Sequence, residues 1–182
     1  TIFGDNGIAL RNDATVDLNG ATIAGSANWV QLQSLVLNLG GDDVITTLAG
    51  DKWVVGGFGN DTIRGLFGND EIQGGAGDDD VNGNRGNDTV YGGPGIDIVR
   101  GGQGDDIVYC DDGNDVHVNG NIGNDTLNGG IGVDTLSGGA GNDIINADDT
   151  AAGDKVDCGL GVDTATINKG DTTVGCEKVI TR

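Results

Sequence analysis

From Gly56 to Tyr109 a branched apolar residue returns at every ninth position, as Ile63, Ile72, Val81, Val90, Val99 and Val108. Written in nines, the stretch reads GGFGNDTIR, GLFGNDEIQ, GGAGDDDVN, GNRGNDTVY, GGPGIDIVR and GGQGDDIVY, without a gap. Each unit has glycine at its first and fourth positions, aspartate at its sixth and the apolar residue at its eighth. This pattern predicts a six-residue turn followed by a three-residue strand. Glycine supplies the backbone angles that a tight repeated turn needs. The lone apolar residue of the strand faces inward while its two neighbours face out. Such a unit cannot bury its apolar residue alone, so the copies must stack.

The frame extends, less regularly, in both directions. Upstream, Asn38 to Thr46 keeps Gly41, Asp43 and Ile45, and Thr47 to Val55 keeps Gly50 and Val54 but places Lys52 where aspartate belongs. Lys52 either replaces a metal ion by pairing with the carboxylate of a neighbouring rung or marks a decayed unit. Downstream, CDDGNDVHVN keeps Gly113 and Asp115 but runs ten residues, which predicts a bulge between Asp115 and Asn119. Three regular units follow with Asp125, Asp134 and Asp143. Two residues are inserted after Asn146, and the frame resumes with Asp154 and Val156, then Gly161, Asp163 and Ala165.

Residues 1–37 lack the repeat. Short apolar pieces (Ile8 to Leu10, Val16 to Leu18, Ala21 to Ile23, Val30 to Leu32, and Leu35 to Leu39 at its end) alternate with turn formers, which predicts an irregular N-terminal β stack or cap with Trp29 as an apolar plug. Trp53 is expected to pack on that cap. Residues 38–166 form the repeat array, and 167–182 read as a terminal strand pair closing the last rung. The chain starts at Thr1 and contains no Met, as expected of a processed product or a fragment.

The composition narrows the picture. Aromatics are 4% and Pro94 is the single proline, so a conventional globular core is not expected. With 37 glycines and a formal charge of -20, the same composition without the period would read as a disordered acidic linker. A field of this sign repels phosphate and disfavours nucleic acid and anionic membranes as partners. No HExxH or GxSxG is present and His117 is the only histidine, so nothing supplies catalytic chemistry. His117 itself reads as structural.

Stacking sets up the chemistry. The sixth-position aspartates Asp61, Asp70, Asp79, Asp88, Asp97 and Asp106 come to lie in rows, where like charges repel. A divalent cation between rungs turns that repulsion into attraction. Carboxylates plus turn carbonyls make an all-oxygen shell, which suits calcium better than magnesium or zinc.

The nonapeptide GGxGxDxUx, with U apolar, resembles the RTX (repeats-in-toxin) family of calcium-binding repeats. The resemblance covers about Asn38 to Thr166. It implies an all-β, right-handed parallel β-roll (a β-solenoid) with two units per turn and calcium between units n and n+2. Carried onto this chain, Asp61 pairs with Asp79, Asp70 with Asp88, Asp79 with Asp97, Asp88 with Asp106, Asp97 with Asp115, Asp106 with Asp125, Asp115 with Asp134 and Asp125 with Asp143. Asp43 opens a row, and Asp154 and Asp163 belong to the same metal set. Leu66 and Asn84 stand in place of the second glycine, and the two frame breaks are expected to interrupt the stacking. The array then holds about 8 to 11 calcium ions, whose charge nearly cancels that of the chain.

Cys158 and Cys176 flank the closing region and either form a bridge, worth roughly 3 kcal/mol for a loop of this length, or remain two buried thiols. The context DCG…GCE resembles the C-terminal ends of secreted members of the family. Cys110 is left over, in a glycine position. These features imply a secreted, extracellular or cell-surface, non-catalytic calcium-binding β-roll that folds on binding calcium. The alternative is a structural subunit that assembles end to end with copies of itself.

Overall fold

The computed structural model of the chain describes residues 15–17, 34–47 and 49–182. Among these residues eighteen strands form two nine-stranded parallel sheets, and no helix is present. Successive strands alternate between the sheets, so one coil takes two strands, and the solenoid makes about eight turns. Thr62 pairs with Asp80 and Thr89 with Ile107, each a step of two nonapeptides. The all-β solenoid implied by the repeat is therefore present.

The inward rows are the eighth-position residues. Ile63, Ile72, Val81, Val90, Val99 and Val108 are fully buried, and Leu127, Leu136, Ile145 and Val156 continue them. The strands of the nonapeptide units alternate, with the apolar residue inside and its neighbours partly or fully exposed. One aliphatic residue in nine is little apolar burial to set against the entropy of ordering a glycine-rich chain. Something else must hold the coil closed.

The turns depend on glycine because adjacent coils touch there. Gly68 has φ +129°, and a Cβ on it would lie 2.6 Å from the Gly50 carbonyl oxygen of the preceding coil. Where another residue stands at the second position, the left-handed backbone is retained: Leu66 has φ +70° and Asn84 φ +78°. Asn84 is supported locally, its N–H donating to Asn82 Oδ1 at 3.0 Å, and Asn121 repeats the device with Asn119 at 2.8 Å. Leu66 has no such side-chain acceptor and carries the ordinary steric cost of that region.

The insertions are absorbed without displacing the aspartate rows. His117, at φ +56° and exposed, is the bulged residue, so that Val118 rather than His117 takes the buried slot. The second insertion lies in the connection after Ala147, and Asp154 returns to a buried position. Stacking continues through both breaks, contrary to the expectation that they would interrupt it. Thr135 pairs with Lys155 and Asn119 with Arg100 in the same sheet as the regular rungs.

At the C-terminus the expected strand pair is corrected. Thr172–Val174 and Lys178–Thr181 do not pair with each other; each adds in parallel to a different sheet, against Lys155–Asp157 and Thr164–Ile167. The tail thus continues the coil, because a solenoid end offers each arriving strand the open edge of its own sheet. Cys158 and Cys176 are bridged, with Cα atoms 5.1 Å apart, and Cys110 is a free, fully buried thiol.

Upstream, Thr15–Asp17 and Ser34–Gly40 stack on Val44–Thr46 and Trp53–Phe58 in the same parallel sense. The expected strands at Ile8 to Leu10, Ala21 to Ile23 and Val30 to Leu32, and the plug Trp29, lie outside the described residues. Trp53 is 44% exposed, so it is not a sealed contact.

Candidate metal centre

All thirteen aspartates singled out in the sequence, from Asp43 to Asp163, are buried at 4% exposure or less. They form two rows. One runs Asp43, Asp61, Asp79, Asp97, Asp115, Asp134 and Asp154; the other runs Asp70, Asp88, Asp106, Asp125, Asp143 and Asp163. Within each row the N–H of one aspartate donates to Oδ1 of the next, as Asp61 to Asp79 at 2.7 Å and Asp88 to Asp106 at 2.8 Å. Eleven such bonds run along the two rows, at 2.7 or 2.8 Å throughout. The step is 18 residues in regular rungs, 19 across the bulge and 20 across the later insertion, with the geometry unchanged. The resemblance's n to n+2 pairs are thus neighbours in space.

The other oxygen is the informative one. Oδ2 of Asp43, Asp61, Asp70, Asp79, Asp88, Asp97, Asp106, Asp115, Asp125, Asp143 and Asp163 is buried without a hydrogen-bond partner. A buried unpaired carboxylate oxygen is costly, and native structures do not repeat it idly. Those of Asp61, Asp70, Asp79, Asp88, Asp97, Asp106, Asp125 and Asp143 face a gap left by glycine, whereas Cys110 and Cys158 stand at that position before Asp115 and Asp163. A Cβ on Gly65 would lie 2.6 Å from both Asp70 Oδ2 and the Gly83 carbonyl oxygen; on Gly92 it would lie 2.6 Å from Asp97 Oδ2 and 2.9 Å from the Cys110 carbonyl oxygen. Carboxylate and carbonyl oxygens of successive coils therefore converge on the same space. Among the described residues no three His, Cys, Asp or Glu side chains gather at one point. Any cation must be held by carboxylates two at a time together with backbone carbonyls, an oxygen set that fits calcium.

Lys52 provides a stand-in for that cation. Its Nζ donates to the carbonyl oxygens of Gly50 at 2.7 Å, Ala49 at 3.0 Å and Asp51 at 3.5 Å, the third to fifth positions of its own turn. Its backbone N–H donates to Asp70 Oδ1, as an aspartate's would. The expected direct ion pair with a neighbouring rung's carboxylate is not formed; the ammonium instead sits on the turn carbonyls. Turn carbonyls of this repeat can face a positive charge.

Burial dominates the electrostatics. Desolvation pushes Asp79, Asp106 and Asp115 up to about 7 and Asp70, Asp88, Asp97, Asp125, Asp134 and Asp154 up to about 6, and raises Asp43, Asp61 and Asp143 in the same direction. The neighbouring Asp80 behaves oppositely. Burial raises it too, but hydrogen bonds from Arg64 and Arg100, each at 2.7 Å, hold it below the usual range on the outer face. The row aspartates have no such partners.

Two groups of residues escaped the sequence reading. The fifth position carries an exposed ladder of its own, running the opposite way: Asn60 N–H donates to Asp42 Oδ1, Asp78 to Asn60, Asn87 to Asn69 and Asn142 to Asn124. The recurrent Asn or Asp before the row aspartate was its visible signal. Past Asp154 and Asp163 the last row N–H groups donate to Asp171 and Glu177, which lie outside any nonapeptide. His117, exposed on its bulge, joins neither row.

The family model of the RTX calcium-binding nonapeptide repeat, four copies, matches residues 39–63, 55–90, 83–116 and 118–151, more than half of the chain. A search of curated proteins finds no match.

Proposed function

Because this chain belongs to the family of RTX calcium-binding nonapeptide repeats, we propose that it is a secreted, non-catalytic β-roll whose folding is driven by calcium, and that it acts as a rigid extracellular module. The observation that carries this reading is the row of buried, unpartnered Oδ2 atoms facing backbone carbonyls. The carboxylates of Asp43 with Asp61, Asp134 with Asp154, Asp143 with Asp163 and the pairs between them would hold the calcium. The eleven carboxylate pairs set an upper count of eleven ions within the nonapeptide array. Each ion needs the next rung in place, so binding and folding are one cooperative event. A calcium-poor cytosol and a calcium-rich exterior would then make folding follow export, in the compartment where the Cys158–Cys176 bridge also forms. No described helix is long and apolar enough to cross a membrane.

A far-UV circular dichroism titration tests this. Calcium should produce a steep transition from a disordered spectrum to a β spectrum, and magnesium at equal concentration should not. Matching curves for the two ions would remove calcium as the specific ligand. Lys52 gives a local check: Lys52→Asp should create a carboxylate pair with Asp70 and raise the ion count by one in native mass spectrometry. An unchanged count would mean that the ammonium does not hold a cation's place.

A second reading is supported by the end of the coil. Lys178–Thr181 is exposed at all four residues at the outer edge of its sheet. Such an edge can take a strand from another copy and give an end-to-end filament. Calcium-dependent pelleting would separate the filament from the monomeric module.

A further inference from the structure

The two acidic rows end differently. In the first, Asp154 donates its N–H to Asp171 Oδ1 at 3.1 Å, Gly153 donates to the same oxygen at 2.9 Å, and Asn168 donates to Oδ2 at 2.9 Å. Both oxygens of Asp171 are thus engaged by amides. That carboxylate caps its row.

In the second row, Asp143 donates to Asp163 Oδ1 at 2.8 Å, and Asp163 donates in turn to Glu177 Oε2 at 2.8 Å. The bond that links every pair of row aspartates is repeated once more, with glutamate as the acceptor. The strand register makes the equivalence firm. Asp163 stands immediately before Thr164 and Glu177 immediately before Lys178, Thr164 and Lys178 are direct parallel partners, and Lys178 N–H donates to the Asp163 carbonyl oxygen at 3.0 Å. Glu177 therefore occupies the sixth-position slot of a coil that has no nonapeptide, exposed at this last coil where the row aspartates are buried. Its neighbour Cys176 is bridged to Cys158, at the start of the unit that holds Asp163, so the disulfide fixes Glu177 against that turn. Asp163 is fully buried, and its Oδ2 has no hydrogen-bond partner. That orphan is the mark carried by the aspartates upstream.

We propose that Asp163 and Glu177 hold one further divalent cation, of the calcium type, which closes the second row one coil beyond the nonapeptide array. The site rests on the calcium reading of the rows and adds a ligand of a different residue type to it. Its side-chain donors are the Asp163 and Glu177 carboxylates, both oxygen ligands. By linking the disulfide-tethered tail to the last nonapeptide, the ion seals the end of the coil from which fraying would otherwise start.

Native mass spectrometry of the oxidised protein in calcium tests the site, because it resolves single bound ions. Glu177→Gln keeps an oxygen that can accept the Asp163 N–H but removes the charge. The variant should carry one calcium fewer than the wild-type chain, with the remaining ions retained. Asp171→Asn, at the capped row, should leave the count unchanged. An equal count in Glu177→Gln, or the same loss in Asp171→Asn, would overturn the terminal site while leaving the array's calcium intact. A wild-type chain that binds no calcium would overturn the underlying reading and this site with it.

Discussion

Asp88→Ala should remove two calcium ions and cost about 5 kcal/mol of stability in saturating calcium, taking roughly 2.7 kcal/mol for each site filled at a hundred times its dissociation constant. Asp88 sits mid-row, its Oδ1 accepting from Asp70 and its N–H donating to Asp106, so two intervals lose a ligand. Its Oδ2 is one of the orphans. His117→Asn, on the exposed bulge, should change stability in calcium by less than about 0.5 kcal/mol. Chemical denaturation in saturating calcium reads both values. Equal effects of the two substitutions would break the pairing scheme.

The second large effect is a pH dependence with opposite directions in the two metal states. In the metal-free coil burial raises Asp79, Asp106 and Asp115 to about 7 and Asp70, Asp88, Asp97, Asp125, Asp134 and Asp154 to about 6, against 3.8 in an ordinary setting. A folded value above the unfolded one means that the folded coil binds more protons between them. The contribution to stability is full below about 4 and disappears as pH rises through about 6 to 7. In chelator the chain should therefore gain β structure on acidification from pH 7.5 to 5. With calcium present the same protons compete for the same oxygens, so calcium affinity should fall over that window. Circular dichroism in chelator and calcium binding across pH 5 to 7.5 check the two halves. A metal-free coil that loses structure on acidification would contradict the burial of uncompensated carboxylates.

Much of this arrangement was legible in the spacing alone. Val81 and Val99 had to face inward because a three-residue strand offers one inward position, and Asp79 and Asp97 had to align because a stacked repeat superposes equal positions. The bulge at His117 was legible as a tenth residue in a frame of nine. The fifth-position ladder leaves a signal in Asn60, Asn69 and Asn87, but a short polar residue suits any turn, so the composition alone does not single out a ladder. Glu177 was not legible: its place is set by the Thr164 to Lys178 register and the Cys158 bridge, which no local period encodes. Lys52 was recognised as a cation in the wrong residue's place, but its long side chain turns back to the carbonyls of Ala49, Gly50 and Asp51 rather than forward to Asp70. The expected interruption at the frame breaks failed because extra residues can loop outward without moving the aspartate turn.

Amide hydrogen exchange at pH 7.5, compared between calcium and excess chelator, tests most directly whether metal closes the coil. The ladder amides of Asp61, Asp79, Asp97 and Asp115 should be strongly protected in calcium and exchange as in an unfolded chain once the ion is withdrawn. Protection that survives complete chelation would show that the acidic rows hold together without a cation, and the account would be wrong at its centre.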